Sequence, residues 1–180
     1  MLLIQMILLI IIGLNPVMFL KKSFTTLLMA FTSRSSVGTL PVTISTLTRK
    51  LGVSEGTANF VASFGSTAGM QGCAGVFPAM LIIFVSNSSC TPIDLTLLIM
   101  SVIVISIGSL GIAGIPGTAT MAASVALSGT GMAASFPLIS PILAIDPIID
   151  MGRSCLNVSG AMVNALYVDK RLGLLNNSSY

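Results

Sequence analysis

The sequence contains no histidine, and charged residues make up only 7% of its 180 residues. Without an imidazole, the chain has no histidine-based catalysis, no histidine metal ligand and no histidine pH switch. An average soluble domain is about 25% charged, and a soluble fold of this length could not cover its surface with so few charges. The three cysteines lack metal-ligand spacing, so we interpret them as reduced, small packing residues.

What the sequence has instead is long apolar stretches. Hydrophobic residues make up 54% of the chain, and the mean hydropathy is +1.02. Several stretches approach or exceed the roughly 20 residues that cross a bilayer as a helix, whereas the alternating segments of a transmembrane barrel are absent. The composition therefore predicts an all-α, multi-pass membrane protein.

The N-terminal apolar run, residues 1–14, has no basic residue in front of it and no small-residue cleavage site after it. A secretory signal normally has both, and the run is short for a complete span. We therefore expect residues 1–14 to be the end of a transmembrane helix whose beginning is missing, and the chain to be a fragment.

Basic residues indicate the side on which the first hairpin begins and ends. The pairs Lys21-Lys22 and Arg49-Lys50 both mark the cytoplasmic face, so the segment between them must enter the membrane and return. Serines, a glycine and Pro41 interrupt it at its middle, and proline cannot continue an incoming helix. This pattern predicts a first re-entrant hairpin over 15–56, with its tip at 33–38 on the cytoplasmic side. The alternative is two ordinary spans kinked at proline.

The rest of the chain divides in a similar way. The loop at 87–94 has no Lys or Arg, which fits the outer face, and a helix-breaking Gly-Ile-Pro-Gly at 114–117 follows a long apolar stretch. Two hairpins that enter from opposite faces are typical of an inverted-repeat transporter core, which binds its substrate near the midplane. The predicted segments are an interrupted transmembrane helix at 57–86, a second re-entrant hairpin at 95–131 with its tip at 114–118 on the outer side, a final transmembrane helix with a substrate-binding stripe at 132–170, and a cytoplasmic tail at 171–180.

One face of the final helix is polar. At about 3.6 residues per turn, this face carries Asp146, Asp150, Arg153, Ser154, Asn157 and Ala161. Ionisable groups inside a membrane are costly, and they usually face the bundle interior and mark a substrate or ion path. Asp150 can accept from an ammonium group, and Arg153 can hold a carboxylate through its fork of donors. The alternative is an ion pair buried for packing alone.

Three stretches resemble the dicarboxylate/amino acid:cation symporter family, of the glutamate-transporter type. They are Phe31-Thr32-Ser33-Arg34-Ser35-Ser36-Val37-Gly38-Thr39-Leu40-Pro41-Val42-Thr43, Gly114-Ile115-Pro116-Gly117 and Asp146-Pro147-Ile148-Ile149-Asp150-Met151-Gly152-Arg153-Ser154-Cys155-Leu156-Asn157-Val158-Ser159-Gly160. They follow the order and spacing of the family, and the resemblance covers nearly the whole chain as the C-terminal half of a member. Within the family, Gly69-Met70-Gln71-Gly72-Cys73-Ala74-Gly75 is most similar to the L-cystine uptake branch.

This resemblance implies a substrate site without catalytic or metal-binding residues. The implied substrate-binding residues are Ser35, Ser36, Cys73, Ile115, Pro116, Gly117, Asp150, Arg153, Ser154 and Asn157. Among them, Asp150 would receive the amino group, Arg153 the distal carboxylate and Asn157 the main carboxylate. We also expect Arg34 of the first tip to pair with an acid of the final helix when the site is empty.

No cofactor is expected, and the resemblance implies a coupling ion, Na⁺ or H⁺. Its candidate residues are Gly69, Gln71, Asp146, Asn157 and Ala161. Sodium-coupled members of the family carry aspartates where this chain has Gln71 and Ala161. We therefore expect coupling to differ in this chain, with a proton taken by Asp146 or Asp150.

The sequence thus predicts a cation-coupled secondary amino-acid transporter of the cell membrane that takes up L-cystine. Acidic amino acids and C4-dicarboxylates are the alternative substrates, and an ion channel or a non-transporting structural fragment is the alternative of another class. An enzyme is not expected, because no nucleophile has a credible base partner. The expected partners are an amino-acid substrate, the lipid bilayer and the missing N-terminal half, but no nucleic acid. A homotrimer is expected for the full-length family member, whereas this chain alone is expected neither to trimerise nor to transport.

Overall fold

The computed structural model describes residues 1–176 and 180, and within them it contains α-, 3₁₀- and π-helix but no β-strand. The all-α prediction is therefore confirmed. The α-helices are α1 (Leu2–Ile11), α2 (Pro16–Ser33), α3 (Leu40–Lys50), α4 (Glu55–Thr67), α5 (Phe77–Ser88), α6 (Leu95–Ser109), α7 (Thr118–Gly129) and α8 (Ser140–Arg171). A π-helix, Gln71–Val76, precedes α5, and a 3₁₀-helix, Ala133–Ile139, precedes α8.

Helices α2 and α3 lie side by side around an interruption at 34–39. The Asn15 side chain caps α2 by accepting from the Val17 backbone N–H at 2.9 Å. The helix ends at Arg34, whose φ of 53° is left-handed and stops the helical ladder. A buried 2.8 Å hydrogen bond between the Thr26 and Thr46 hydroxyls then joins the two helices. The chain thus turns back at the predicted tip, while its entry into a membrane from one side stays a prediction.

The next segment is interrupted as well. Helix α4 ends at Thr67, and the chain resumes as the π-helix before α5 begins. As one run, Glu55–Ser88 is 34 residues long and apolar enough to cross a membrane. Short π-helical stretches widen the helix by one residue per turn and often lie at functional sites. Within this interruption Met70, Gly72, Cys73 and Ala74 are buried in the interior of the fold.

Helices α6 and α7 form the second pair around an interruption at 110–117. A Cβ on Gly108 would lie 2.6 Å from Val125 Cγ1, and one on Gly129 would lie 2.4 Å from Val104 Cγ1. Glycine at both positions therefore lets the two helices approach closely, as small residues do between membrane helices. Gly117 begins α7 at a φ of +91°, a conformation that glycine adopts without a steric cost.

Helix α8 packs against α1, α2, α3, α4 and α7 as well as the π-helix. Together with its 3₁₀ lead-in, Ala133–Arg171 is the second run that is long and apolar enough to cross a membrane. One apolar core joins its last turns to α1–α4, around Phe19, Leu47 and Leu166. A second core joins α5, α6 and α7 to the lead-in, so the polar stripe of α8 lies between two packed groups of helices.

Near its end, α8 is tied to the start of α4. Asp169 is fully buried, and its two carboxylate oxygens accept from the Ser54 backbone N–H at 2.8 Å and from the Ser54 hydroxyl at 2.5 Å. Such charge-assisted bonds are about twice as strong as neutral ones. This tie fixes the relative position of the two helices at that end.

The C-terminal residues fold back on the base of the first helix pair. The Asn176 backbone N–H donates to the Gly52 carbonyl at 2.9 Å, and the Tyr180 hydroxyl donates to the Asn15 carbonyl at 2.9 Å. Burial raises the pKa of Tyr180 to about 12, which keeps this phenol a donor at neutral pH. Residues 177–179 of the predicted tail lie outside the described residues.

Candidate functional site

The polar stripe of α8 faces the π-helix in the buried centre of the fold. Asn157 Oδ1 accepts from the Gly72 backbone N–H at 2.7 Å, and Asn157 Nδ2 donates to Cys73 Sγ at 3.0 Å. The Cys73 thiol in turn donates to Asp150 Oδ1 at 3.5 Å. Ser154 lies buried on the same stripe. Four of the predicted substrate-binding residues are therefore brought together from two elements whose bonded residues are more than seventy positions apart in the chain.

Arg153 lies at the centre of this cluster. Its Nη2 donates to Asp146 Oδ1 at 2.5 Å and to Asp150 Oδ1 at 3.3 Å, and its guanidinium carbon stands 4.1 Å from the centroid of the Phe77 ring. Its Nε and Nη1 are buried without a hydrogen-bond partner among the described residues. Two carboxylates therefore share one guanidinium, and two strong donors are left for an acceptor that this part of the chain does not supply.

The salt bridge predicted for Arg34 is not present in the described part of the chain. Arg34 does reach α8, but its Nη1 donates to the Pro147 carbonyl at 3.4 Å. The acids are held by Arg153 instead, because it lies within one or two turns of both on the same helix face. Arg34 therefore contacts the charged cluster at its rim.

The two predicted tips meet. The Gly114 carbonyl accepts from the Ser35 hydroxyl at 3.0 Å and from the Val37 backbone N–H at 3.2 Å. A Cβ on Gly114 would lie 2.3 Å from the Ser66 carbonyl oxygen and 3.0 Å from Ser36 Cβ. Because only glycine fits there, the second tip packs directly on both the first tip and the end of α4.

The remaining tip residues have different environments. Ser36 is buried and lines, with Ser66, Val158 and Ala161, a gap of about 10 Å³, which is too small for a ligand. On the second tip, Ile115, Pro116 and Gly117 are exposed. They lie on the outside of the tip, away from the buried cluster.

The five coupling-ion candidates lie in three places. Gly69 and Gln71 line a cavity of about 290 Å³ together with Ser106 and Ser109 of α6. Asp146 and Asn157 belong to the charged cluster. Ala161 packs against Gly65 of α4, where a Cβ on the glycine would lie 2.8 Å from Ala161 Cβ. These places follow one another along the contact of α4 and the π-helix with α8, where Gln71 donates to the Leu156 carbonyl and Gly72 to Asn157.

One functional-site contact has no counterpart in the sequence predictions. Gln5 of α1 is buried, and its Nε2 donates to the Leu156 carbonyl at 3.2 Å while its Oε1 accepts from the Ser159 hydroxyl at 2.6 Å. Gln71 Nε2 donates to the same Leu156 carbonyl at 3.3 Å. A single amide in an otherwise apolar run is the signal that could have identified Gln5.

Gly160 makes room for these two amides. A Cβ on Gly160 would lie 1.7 Å from Gln71 Nε2 and 3.1 Å from Gln5 Nε2. We expect Gly160→Ala to push the Gln71 amide aside and to break its hydrogen bond to the Leu156 carbonyl, which lowers stability by about 1–3 kcal/mol, the usual cost of leaving a buried polar group unpaired. Thermal unfolding in detergent, followed by circular dichroism, measures this effect.

Gly152→Ala in the same helix is the matched control. Apart from the neighbouring backbone of α8, no described atom lies within 4 Å of a Cβ at Gly152. Alanine favours helix over glycine by up to about 1 kcal/mol, so this variant should unfold at the same temperature or a higher one. Equal midpoints for the two variants would contradict the packing argument.

The chain is similar to known proteins over nearly its whole length. The profile of the sodium:dicarboxylate symporter family matches residues 1–171. The L-cystine uptake protein TcyP of Bacillus cereus is 42% identical over an aligned length of 181 residues. The alignment covers all of this chain and 39% of that protein. The L-cystine uptake proteins TcyP of Bacillus licheniformis and Shouchella clausii are each 46% identical, over 93% and 91% of this chain and 36% and 35% of their own lengths. The chain thus spans little more than a third of these curated relatives.

Proposed function

The chain belongs to the sodium:dicarboxylate symporter family, and from this premise we propose that it forms the substrate-binding part of a cation-coupled transporter that takes up L-cystine. The observation that carries the proposal is the buried cluster of Asp150, Arg153 and Asn157. An amino acid needs an acceptor for its ammonium group and donors for its carboxylates, and this cluster supplies both kinds. A cluster kept only for packing would not leave two buried guanidinium nitrogens without a hydrogen-bond partner among the described residues.

The cluster and the relatives both support L-cystine as the proposed substrate. Asp150 receives the amino group, Asn157 the main carboxylate and Arg153 a distal carboxylate. The contact beside them is the Cys73 thiol, a weaker hydrogen-bonding group than a hydroxyl, which disfavours a small acidic amino acid as the substrate. The names of the relatives, which are L-cystine uptake proteins, support L-cystine over aspartate, glutamate or a C4-dicarboxylate.

The arrangement of the helices supports transport over conduction. We propose that α2–α3 and α6–α7 enter the cell membrane from opposite faces and return, so that their tips close on each other near its midplane. At the Gly114 carbonyl the two tips pack against each other, whereas an ion channel needs a continuous open path there. A homotrimer of the whole protein is part of the same proposal.

Reconstituted protein tests this function. The chain in lipid nanodiscs is expected to bind L-cystine in calorimetric titration. Proteoliposomes that hold a full-length version and are loaded with L-cystine are expected to accumulate labelled L-cystine by counterflow. The Bacillus cereus relative is the matched positive control for both assays. Counterflow by the relative, combined with no L-cystine binding by this chain, would overturn the proposal.

The coupling ion is the second part of the proposal. Asp146 and Asp150 share the positive charge of Arg153, and the other ionisable groups that face them are Arg34 at the rim and the neutral Cys73 thiol. Ionisable residues inside a membrane protein often mark a proton or ion path. The cavity at Gly69 and Gln71, beside backbone released by the helix interruption, offers oxygen ligands for Na⁺.

Separate pH and Na⁺ gradients distinguish coupling to a proton from coupling to Na⁺. We expect L-cystine uptake into proteoliposomes to be driven by an inward pH gradient without Na⁺, because the family's two aspartates are replaced by Gln71 and Ala161 in this chain. Uptake under a pH gradient, a Na⁺ gradient and both together is the measurement. Strict dependence on Na⁺ without any effect of pH would contradict proton coupling.

A further inference from the structure

Helix α1 buries its only polar side chain. Nine of its ten residues are apolar, and several of these are exposed, among them Leu3 and Ile4, whereas Gln5 is only 5% exposed. A polar group inside an apolar bundle is buried at a cost unless it finds hydrogen-bond partners. The Gln5 amide finds them on one turn of α8, at the Leu156 carbonyl and the Ser159 hydroxyl.

The turn that Gln5 holds contains Asn157, the residue to which we assign the main carboxylate of the substrate. Gln5 donates to the carbonyl of the residue before Asn157 at 3.2 Å and accepts from the hydroxyl of the second residue after it at 2.6 Å. The Asn157 side chain itself accepts from the Gly72 backbone N–H at 2.7 Å. The backbone of this turn and the amide that it carries are therefore held by two different elements, α1 and the π-helix.

The second glutamine of the chain reaches the same carbonyl. The sequence has only two glutamines, and Gln71 donates to the Leu156 carbonyl at 3.3 Å. Both amide contacts are longer than the roughly 2.9–3.0 Å typical of N–H···O bonds. Two donors on one carbonyl explain this, since the helical ladder of α8 already uses one of its two lone pairs. Gln5 and Gln71 therefore join α1, α8 and the π-helix at one point, beside the turn of Asn157.

We propose that Gln5 is a positioning residue of the substrate site: it fixes the turn 156–159 of α8 and thereby the Asn157 amide that binds the main carboxylate. The inference rests on the proposed function. Gln5 makes no contact with the substrate in this assignment, so its effect reaches the ligand through Asn157. A leucine or methionine would fill the same space in α1, but it would leave the Ser159 hydroxyl without its acceptor and the Leu156 carbonyl with one donor fewer.

An analogue without carboxylates separates positioning from general damage to the fold. Cystamine is L-cystine without its two carboxylates, so it cannot make the contact that we assign to Asn157. Binding of both ligands is titrated on the whole chain in nanodiscs. Gln5→Met keeps the length of the side chain and removes both bonds, and it should lower the preference for L-cystine over cystamine by about fivefold, the scale of one hydrogen bond.

The matched control is Ile4→Met, at the exposed position next to Gln5 in α1. It should leave the preference unchanged, because it removes no bond to α8. Ser159→Ala removes only one of the two bonds of Gln5 and suits a helix at least as well as serine. It should lower the preference by about threefold, and it tests the same turn where Gln5→Met does not fold. Circular dichroism confirms which variants fold.

Two further measurements trace the effect to Asn157. In an Asn157→Ala background, Gln5→Met should change the preference no further, because two residues that act through one contact are not additive. Selective ¹⁵N labelling of glutamine gives two side-chain signals, one from each glutamine. The Gln71 signal should shift in Gln5→Met, which leaves the Leu156 carbonyl to Gln71 alone.

The outcomes separate this inference from the proposed function. Equal losses of affinity for L-cystine and cystamine in Gln5→Met, or a full effect of Gln5→Met in the Asn157→Ala background, overturn the positioning role while L-cystine binding by wild type still supports the function. An unchanged preference in folded Gln5→Met, or an unmoved Gln71 signal, overturns it as well. If wild type binds no L-cystine, both proposals fail.

Discussion

Replacement of Arg153 by alanine is expected to weaken L-cystine binding roughly a hundredfold or more. The guanidinium is the charged partner of both buried acids, Asp146 and Asp150, and it supplies the donors that we assign to the distal carboxylate. Truncating one partner of a buried charge pair costs about 2–5 kcal/mol, and each 1.4 kcal/mol is a factor of ten in affinity. Calorimetric titration of the chain in nanodiscs measures the loss.

The same change should lower stability by about 3–5 kcal/mol, because two buried carboxylates lose their partner. Binding and stability can be separated with two further variants. Arg153→Lys keeps the charge without the planar fork, so it should fold like wild type and still bind L-cystine weakly. Addition of Asp146→Asn to Arg153→Ala should restore much of the unfolding temperature but not the binding. Wild-type affinity in Arg153→Ala would refute the assignment.

Replacement of Gly114 by alanine should separate the two tips. The new Cβ would lie 2.3 Å from the Ser66 carbonyl oxygen, and a backbone atom cannot move aside as a flexible side chain does. The tip must therefore shift, and the bonds from the Ser35 hydroxyl and the Val37 backbone N–H to the Gly114 carbonyl break. Hydrogen exchange at the Val37 amide should become at least tenfold faster, since it loses its acceptor.

L-cystine binding by Gly114→Ala should fall by about tenfold, in line with an overpacking cost of about 1–3 kcal/mol. Gly111→Ala is the matched control in the same connection, because the nearest described atom to a Cβ there is 3.8 Å away. It should change neither exchange nor binding. Unchanged exchange at Val37 in Gly114→Ala would show that the tip contact does not depend on this glycine.

The interruptions of the helices could be predicted from the sequence because local chemistry decides them. Serine, glycine and proline clusters near Ser33–Gly38 and at Gly114–Gly117 cannot continue a helix, and the structure interrupts its helices at 34–39 and 110–117. The polar face of α8 could also be predicted, since helical periodicity alone places Asp150 and Asn157 on one side. The sequence also indicated that the helix at 57–86 is interrupted, although not that a π-helix forms there.

Contacts between distant elements could not be predicted in this way. The choice of Arg153 over Arg34 as partner of the acids depends on how α2 packs against α8. The amide of Gln5 meets Ser159 only because α1 lies against α8, 154 residues further along the chain. The position of Phe77 under the guanidinium likewise depends on the exit angle of the π-helix, which no local pattern specifies.

The carboxylate of Asp169 has a consequence for motion. With both oxygens bonded to Ser54, α4 cannot slide along α8 without stripping a buried charge of its donors, which costs several kcal/mol. The two helices therefore move together at that end. Any rearrangement that admits a ligand must be carried by the connections at 68–76 and 110–117, so spin labels on α4 and α8 should keep their spacing while labels across the tips report the opening.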